Sequence, residues 1–341
     1  MNAALANALV LLAAPGRMLD VRSRAVERKL KLTLSDADIR RLRASGEGAK
    51  LGAYYHWYLQ KLLVANAIKG IDAAGARAFI KAADRTDYAA AQALIDSPTG
   101  ALVAIPHHAH YILTMTALAM RIGRHRKVKV FYASPKQNKG NAIFDQLHAL
   151  LFSDPAAGVE VIHNTRQGLA QALKGLKAGE IVFIMPDAFT DVSATMMVPF
   201  CGALMDVMLG TATLARKTGA WILPVVSRSV GYGLAFGADF GEPIRPQSPA
   251  GLTAEQERMA DYAVMRAVFA RFERVMANEL LLWQSVLQHG IDEGMPAALA
   301  SRHALPTEVK HLLTDPLFRA PDLVIDLRAG ATAPALGSTV R

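Results

Sequence analysis

The chain has 341 residues, of which 52% are hydrophobic, and its formal net charge is +9. A chain of this size can bury about three quarters of its unfolded surface, so it is neither disordered nor dependent on disulfides or a metal for stability, and its lone Cys201 suits a reducing compartment. The basic surplus favours an anionic partner: a membrane surface, an acidic carrier protein, a phosphorylated molecule or nucleic acid.

The first 95 residues predict a helical region. Within it, the apolar stretch 8–15 is followed rather than preceded by basic residues, unlike a signal peptide, and it is far shorter than the roughly 20 apolar residues that cross a bilayer. We therefore expect it to pack against the body of the protein or to lie shallowly in a membrane interface. A cluster of aromatic residues at helical spacing favours core packing, with an acyl pocket or a lipid interface as the alternative. The cluster comprises Tyr54, Tyr55, Trp57 and Tyr58.

From about residue 100, short β-rich runs alternate with helical stretches. The predicted strands are 101–106, 128–132, 159–162, 181–185 and 221–226, and the helices among them include 111–123, 141–152 and 167–176. A long amphipathic helix is predicted over 254–289, and the tail rich in small residues after it is expected to be partly mobile. This alternation predicts an α/β fold with a mixed, largely parallel sheet covered by helices. The predicted organisation is a helical region over 1–95, an α/β domain over 96–290 and a C-terminal extension over 291–341.

Three histidines, His107, His108 and His110, follow the first predicted strand and precede a predicted helix. Ligands bind at the carboxyl ends of strands in open α/β sheets, and a histidine there can take a proton from a hydroxyl or amine that attacks a carbonyl. One such histidine is usually structural, but three within four residues indicate a functional cluster. With Asp187 or Asp191 they also offer ligands for zinc or iron, although the His-x-x-x-His spacing of a helical metal site is missing.

The run His-His-Ala-His-Tyr-Ile over 107–112 resembles the His-x-Gly-Asn-Trp-Glu-like run of the lipid A late acyltransferases, members of the lysophospholipid acyltransferase superfamily. It places His107 on the catalytic histidine, Ala109 on the glycine and Tyr111 on the tryptophan of that run. Segments 176–187, 198–202 and 210–225 are similar to further family segments in the same order, and Trp283 falls near the family's tryptophan-rich end. The resemblance rests on the order and spacing of these segments taken together.

The resemblance implies a bacterial acyltransferase that moves an acyl group from a coenzyme A or acyl carrier protein thioester to a hydroxyl or amine, with no bound cofactor. His107 would be the general base and His110 a partner, and N–H groups at the start of the following helix would stabilise the oxyanion. The expected location is the cytoplasm, with peripheral contact to the inner membrane as a further possibility.

The sequence departs from the family where it carries Ile112, because the family has an acid there to orient the histidine. Losing such a carboxylate costs on the order of 10²–10⁴-fold in rate. Three explanations stay open. Another acid, Asp187, Asp191 or Asp145, replaces it; the acceptor is an amine, which loses its proton after attack; or the protein binds an acyl group or its carrier without turnover. A metal-dependent hydrolase is the remaining alternative.

Further basic residues are candidates for substrate binding alongside His108. Arg166 follows a predicted strand, so it is expected near the same sheet edge as His107 and could hold a phosphate or carboxylate. Segment 121–139 has seven basic residues and no acid: Arg121, Arg124, Arg126, Lys127, Lys129, Lys136 and Lys139. A helix over 111–123 would carry the first of them ~20 Å from the histidines, whereas Lys136 and Lys139 would return to that edge to bind an anionic donor. No nucleic-acid-binding motif is present, so no nucleic acid partner is expected.

Overall fold

A computed structural model describes residues 48–132, 141–188, 195–200, 203–231, 233–246 and 251–277, together with Ala8, Leu9, Leu11, Leu12, Arg40, Ala44, Glu279, Leu282 and Trp283. Several predictions fall outside the described residues. They concern Lys136, Lys139, Asp191, Cys201 and the extension over 291–341.

The described helices are α1 (Gly48–Ile68), α2 (Ala73–Ala83), α3 (Ala89–Asp96), α4 (Tyr111–Ile122), α5 (Ala142–Leu151), α6 (Arg166–Lys177), α7 (Gly210–Thr218) and α8 (Ala254–Met276). The strands are β1 (Ala101–Ala104), β2 (Val128–Tyr132), β3 (Val159–His163), β4 (Ile181–Ile184), β5 (Thr195–Phe200), β6 (Ala203–Met208), β7 (Trp221–Ser229) and β8 (Phe236–Phe240).

Six strands form one sheet in the order β3-β2-β4-β1-β7-β8. The neighbours pair in parallel as far as β7, and β8 runs antiparallel to β7 at the edge. β1 lies between β4 and β7, and all of its residues are buried. The mixed, largely parallel sheet covered by helices that the sequence predicts is therefore confirmed.

The two faces of β1 belong to two different cores, because successive side chains of a strand point to opposite sides. Leu102 and Ala104 pack into a core shared with residues of α6, α7 and α8. Ala101 and Val103 pack into the other, shared with residues of α2, α3, α4 and α5. Helices on both faces exclude water from the strand, which explains its continuous apolar sequence.

The N-terminal predictions have a mixed outcome. Tyr54, Tyr55 and Trp57 lie on α1 and are buried in the core, so core packing of the aromatic cluster is confirmed. In the apolar stretch near the N-terminus, Leu9, Leu11 and Leu12 are exposed instead. Among the described helices, none combines the length and the apolar character needed to cross a membrane.

Two features differ from the sequence predictions. β5 and β6 form an antiparallel hairpin that the sequence analysis does not predict, since the largely apolar segment 195–208 shows no regular alternation of apolar and polar residues. The predicted long helix ends at Met276 rather than near residue 289. Beyond it, Trp283 forms an antiparallel bridge with His108, so this part of the chain lies against the histidine cluster.

Candidate active site

The histidine cluster occupies the connection from β1 to α4, at the carboxyl edge of the sheet. This connection turns through Ala109, whose φ of 47° lies in the left-handed region that favours glycine. The similar family run has glycine at this position. The Ala109 side chain is buried, and its main-chain N–H donates to the Leu282 carbonyl at 3.0 Å. The turn thereby fixes where each neighbouring histidine points.

His107 contacts the carboxylate of Asp187 with both its ring and its main chain. Its Nδ1 lies 2.9 Å from Asp187 Oδ1, and its main-chain N–H donates to Asp187 Oδ2 at 2.8 Å. The strand register explains the contact: Ala104 of β1 pairs with Ile184 of β4, and His107 and Asp187 each stand three residues further on. An acid remote in sequence therefore occupies the position beside the histidine.

The environment of Asp187 keeps its carboxyl group ionised. The side chain is 1% exposed, and this burial alone would raise its pKa. The charge of His107 and hydrogen bonds from His107 and Trp283 outweigh burial and lower the pKa to about 2. The Trp283 contribution is an Nε1–H bond to Asp187 Oδ2 at 2.7 Å. At neutral pH, Asp187 is therefore an acceptor for the ring of His107.

This arrangement determines the tautomer of His107. Because the ionised Asp187 can only accept, a neutral His107 carries its proton on Nδ1, and Nε2 keeps a free lone pair. The side chain of His107 remains 20% exposed, and its ring meets that of Tyr111 edge to face, with 4.8 Å between centroids. An oriented, partly exposed imidazole with a basic Nε2 is suited to removing a proton from a bound molecule.

His108 does not lie where a substrate-binding residue would. It is fully buried, its Nδ1 lies 2.8 Å from the Ser227 carbonyl and its Nε2 lies 3.1 Å from the Glu279 carbonyl. Burial lowers its pKa. The prediction of substrate binding is wrong in geometry, since the ring faces the protein main chain on both sides and offers no nitrogen to a ligand.

His110 also points away from His107. It precedes α4, and its Nε2 lies 3.1 Å from Gln60 Oε1 of α1. Gln60 in turn donates to the Gly233 carbonyl at 2.6 Å. Burial, with the nearby charge of Lys61, lowers the pKa of His110 to about 3, so it is neutral at physiological pH. The expected partnership of His110 with His107 is therefore not found, and His110 ties α1 to the start of α4.

Of the other acids considered for the missing position, Asp145 lies on α5, where its charge acts on Tyr132. The three histidine rings of the cluster face a carboxylate, main-chain carbonyls and an amide, respectively. Within the described part of the chain, no three His, Cys, Asp or Glu side chains converge so as to hold a metal ion. The three rings therefore do not converge on one point where a metal ion could bind.

Arg166 begins α6 directly beyond β3, and its side chain is exposed. It lies at the same sheet edge as His107, as predicted. β3 is three strands from β1, however, which corresponds to ~14 Å at the usual strand spacing. Arg166 can therefore contact only a distant part of a molecule bound at His107.

The basic segment near β2 makes internal contacts instead of an open basic surface. The Arg126 guanidinium donates to the main-chain carbonyls of Leu94, Ser97, Thr99 and Gly179. Lys129 pairs with Glu160 and Glu180, at 2.8 and 2.7 Å. Arg121 lies over the ring of Tyr88. Much of the charge surplus among these described residues thus stabilises the amino-terminal edge of the sheet, opposite the histidines.

A family model for bacterial lipid A biosynthesis acyltransferases matches residues 91–282, which is more than half of the chain. The chain belongs to this family. Membership of the lipid A biosynthesis acyltransferases confirms the resemblance drawn from the sequence and indicates an acyltransferase. A comparison with curated proteins gave no match. The matched range extends from α3 through the whole sheet and ends one residue before Trp283.

Sequence reasoning missed two residues of this candidate site. The sequence places Trp283 near the family's tryptophan-rich end, but nothing in its position indicates that its N–H reaches Asp187. Gln60 lies on a helical stretch 50 residues from its partner His110, and no motif marks it. Both contacts depend on how distant segments pack, which residue patterns do not encode.

Proposed function

We propose that this protein transfers an acyl group from a coenzyme A or acyl carrier protein thioester to a hydroxyl or amine, with His107 as general base. Asp187 takes the role of the family acid that Ile112 replaces. The observation that carries this proposal is the 2.9 Å contact between His107 Nδ1 and the ionised carboxylate of Asp187. The replacement of the family acid by Ile112 argues against catalysis. Asp187 answers that argument, because it supplies an acid beside His107 from another part of the chain.

In the proposed reaction, His107 Nε2 takes the proton of the acceptor hydroxyl or amine while the acceptor oxygen or nitrogen attacks the thioester carbonyl carbon. The carbonyl oxygen becomes an oxyanion in the tetrahedral intermediate. When the carbon–sulfur bond breaks, the imidazolium returns the proton to the leaving sulfur. Asp187 stabilises the imidazolium that exists between the two proton transfers and keeps the ring in one orientation.

The start of α4 offers groups that suit the oxyanion. The first N–H groups of a helix have no intrahelical acceptor, and the helix dipole places partial positive charge there. Those of Ile112 and Leu113 lie in the first turn of α4, shortly after His107. N–H donors aimed at a developing oxyanion are often the largest single contribution to acyl-transfer catalysis.

Donor binding and location form the outer part of the proposal. Arg166, exposed at the same sheet edge, would contact a phosphate or carboxylate of the donor, and Lys136 and Lys139 remain candidates for the same task. The exposed Leu9, Leu11 and Leu12 are compatible with peripheral contact to the inner membrane from the cytoplasm.

A protein that binds an acyl group or its carrier without turnover is the second candidate, motivated by the apolar residue at position 112. Both candidates are tested by incubating the purified protein with acyl-CoA and acyl carrier protein thioesters and a panel of alcohols and amines, with product detection by mass spectrometry. Acylated product that disappears in H107A supports catalysis. The matched control is H125A, since His125 is exposed beyond the far end of α4. Product formation unchanged in H107A would overturn the proposed role, whereas tight thioester binding without any product would favour the binding protein.

A further inference from the structure

The residues that follow α8 lie directly against the histidine cluster. Ala109 N–H donates to the Leu282 carbonyl at 3.0 Å, and His108 and Trp283 form an antiparallel bridge. We name Glu279, Leu282 and Trp283 the post-α8 segment. Its contacts with the cluster place the Trp283 indole beside the carboxylate that faces His107.

The Trp283 indole holds one oxygen of that carboxylate. Its Nε1–H donates to Asp187 Oδ2 at 2.7 Å, the same oxygen that accepts the His107 main-chain N–H, while Oδ1 faces His107 Nδ1. With Oδ2 held by two donors, the carboxylate cannot rotate without losing both bonds. The two oxygens therefore have separate tasks: Oδ2 anchors the group and Oδ1 orients the histidine ring.

The indole is itself fixed by apolar packing. Trp283 is 1% exposed and meets the ring of Phe200 edge to face, with 5.3 Å between centroids. Phe200 packs in the same manner on Phe269 of α8. The hairpin and α8 thus hold the ring plane, and a shift of the indole would disturb a well-packed core.

His108 connects this segment to the sheet. Its Nε2 lies 3.1 Å from the Glu279 carbonyl and its Nδ1 lies 2.8 Å from the carbonyl of Ser227 on β7. Because burial lowers the pKa of His108, the ring is neutral and donates to one of these carbonyls while it packs against the other. The buried ring therefore lies between the central sheet and the chain that carries Trp283. His107 contacts the Asp187 carboxylate directly, whereas His108, its neighbour in sequence, contacts the segment whose Trp283 donates to that carboxylate.

We infer that Trp283 is a positioning residue that fixes Asp187 for its work on His107, and that His108 positions Trp283 by holding the post-α8 segment. The inference rests on the proposed function, in which Asp187 orients the general base. Trp283, which lies one residue beyond the matched family range, would then be needed for full catalytic activity.

The kinetic test is a double-mutant cycle between W283F and D187N. W283F keeps an aromatic ring against Phe200 and removes the donor, so kcat is expected to fall about 10- to 100-fold, the size typical for losing a hydrogen bond to a charged group, with little change in KM for the thioester. In the D187N background, W283F should cost little more, because both variants disturb the same unit. Additive losses would overturn the inference.

W221F is the matched control, since Trp221 starts β7 at the opposite edge of the sheet, and it should leave kcat unchanged.

A second test needs no acyl transfer, so it stands or falls separately from the proposed catalysis. The indole N–H resonance of Trp283, identified by its loss in W283F, should lie downfield of the other two in ¹H–¹⁵N spectra at pH 7.5. Among the described residues, Nε1 of Trp57 and of Trp221 has no hydrogen-bond partner. The Trp283 resonance should move upfield in D187N and should also shift in H108N, where the segment loses its anchor. A Trp283 signal that stays in place in both variants would overturn the inference even if no substrate is found.

Discussion

His107 and Asp187 stand at equivalent positions beyond two neighbouring parallel strands, each three residues after the paired Ala104 and Ile184. The register of β1 and β4 thus places a carboxylate beside a histidine, 80 residues apart in the chain, at 2.9 Å. In the family pattern the acid comes from the helix that follows the histidine, whereas here it comes from the next strand of the sheet. A rigid sheet edge can hold such a pair as firmly as a helix turn can.

The first prediction concerns the acid of this pair. D187N should lower kcat by about 10²–10⁴-fold, because an amide can present its N–H to His107 Nδ1 and favour the wrong tautomer. Single-turnover measurements with a thioester and an acceptor that give product with the wild-type protein would show the loss in the chemical step. The double variant H107A/D187N should be no slower than H107A alone, since the two residues act as a unit. Independent losses in the two variants would contradict the pairing.

The second prediction is a pH dependence of stability. The pKa of Asp187 is lowered from 3.8 to about 2 by His107 and the Trp283 bond, against the opposing effect of burial. A group whose pKa is depressed in the folded state stabilises the fold above its unfolded pKa, and that stabilisation disappears as pH falls through the folded value. Wild type should therefore exceed D187N by about 2 kcal/mol in unfolding free energy above pH 4, and the difference should shrink towards pH 2. Denaturant unfolding at a series of pH values measures this, and a difference independent of pH would contradict it.

Much of the architecture was predictable from the sequence because the central strands of the sheet, such as β1 and β4, are largely buried and apolar. Apolar runs such as 181–185, and 128–132 with its single Lys129, stand out against the amphipathic helices between them, and they form β2 and β4 with nearly the predicted bounds. The order of the strands was not predictable. Without knowing that β4 neighbours β1, no pattern could choose Asp187 over Asp145 or Asp191 as the acid beside His107.

The roles of the individual histidines were also beyond sequence reasoning. His107, His108 and His110 share one local pattern, yet the left-handed turn at Ala109 and the packing of α1 and the post-α8 segment give each ring a different partner. The end of α8 was mispredicted for a related reason. The apolar stripe continues past Met276, but contacts with the histidine cluster favour a non-helical chain at Trp283, so tertiary packing overrides local propensity.

The third prediction tests the left-handed turn. At φ 47°, Ala109 carries strain that glycine does not, while its buried methyl group contributes packing that glycine would lose. These effects oppose each other, so A109G should change the unfolding free energy by less than about 1 kcal/mol. A109V should destabilise by more than about 2 kcal/mol, since a β-branched residue is a strong outlier there. Equal effects of the two variants in urea denaturation would show that the turn does not constrain this position.

The fourth prediction separates His110 from catalysis. H110F removes the closer of two donors to Gln60 Oε1 and leaves this amide oxygen with only the 3.5 Å contact from Ser229 Oγ. This loss should cost about 1–3 kcal/mol in stability. Its kcat should stay within about threefold of wild type at a temperature where the variant is folded, because His110 does not contact His107. A kcat loss comparable to that of H107A, in a variant that circular dichroism shows to be folded, would return His110 to the catalytic machinery.

The fifth prediction compares two exposed arginines at opposite edges of the sheet. Arg166 lies at the edge that carries His107, whereas Arg124 lies beyond the carboxyl end of α4, at the amino edge. If Arg166 holds an anionic group of the donor, R166A should raise KM for an acyl-CoA donor by about two- to fivefold, the range for an exposed ion pair, and leave kcat unchanged. The effect should decrease as salt rises, because exposed charges are screened. R124A should change neither constant, and an equal rise of KM in both variants would mean that net charge, rather than a contact at the active edge, attracts the donor.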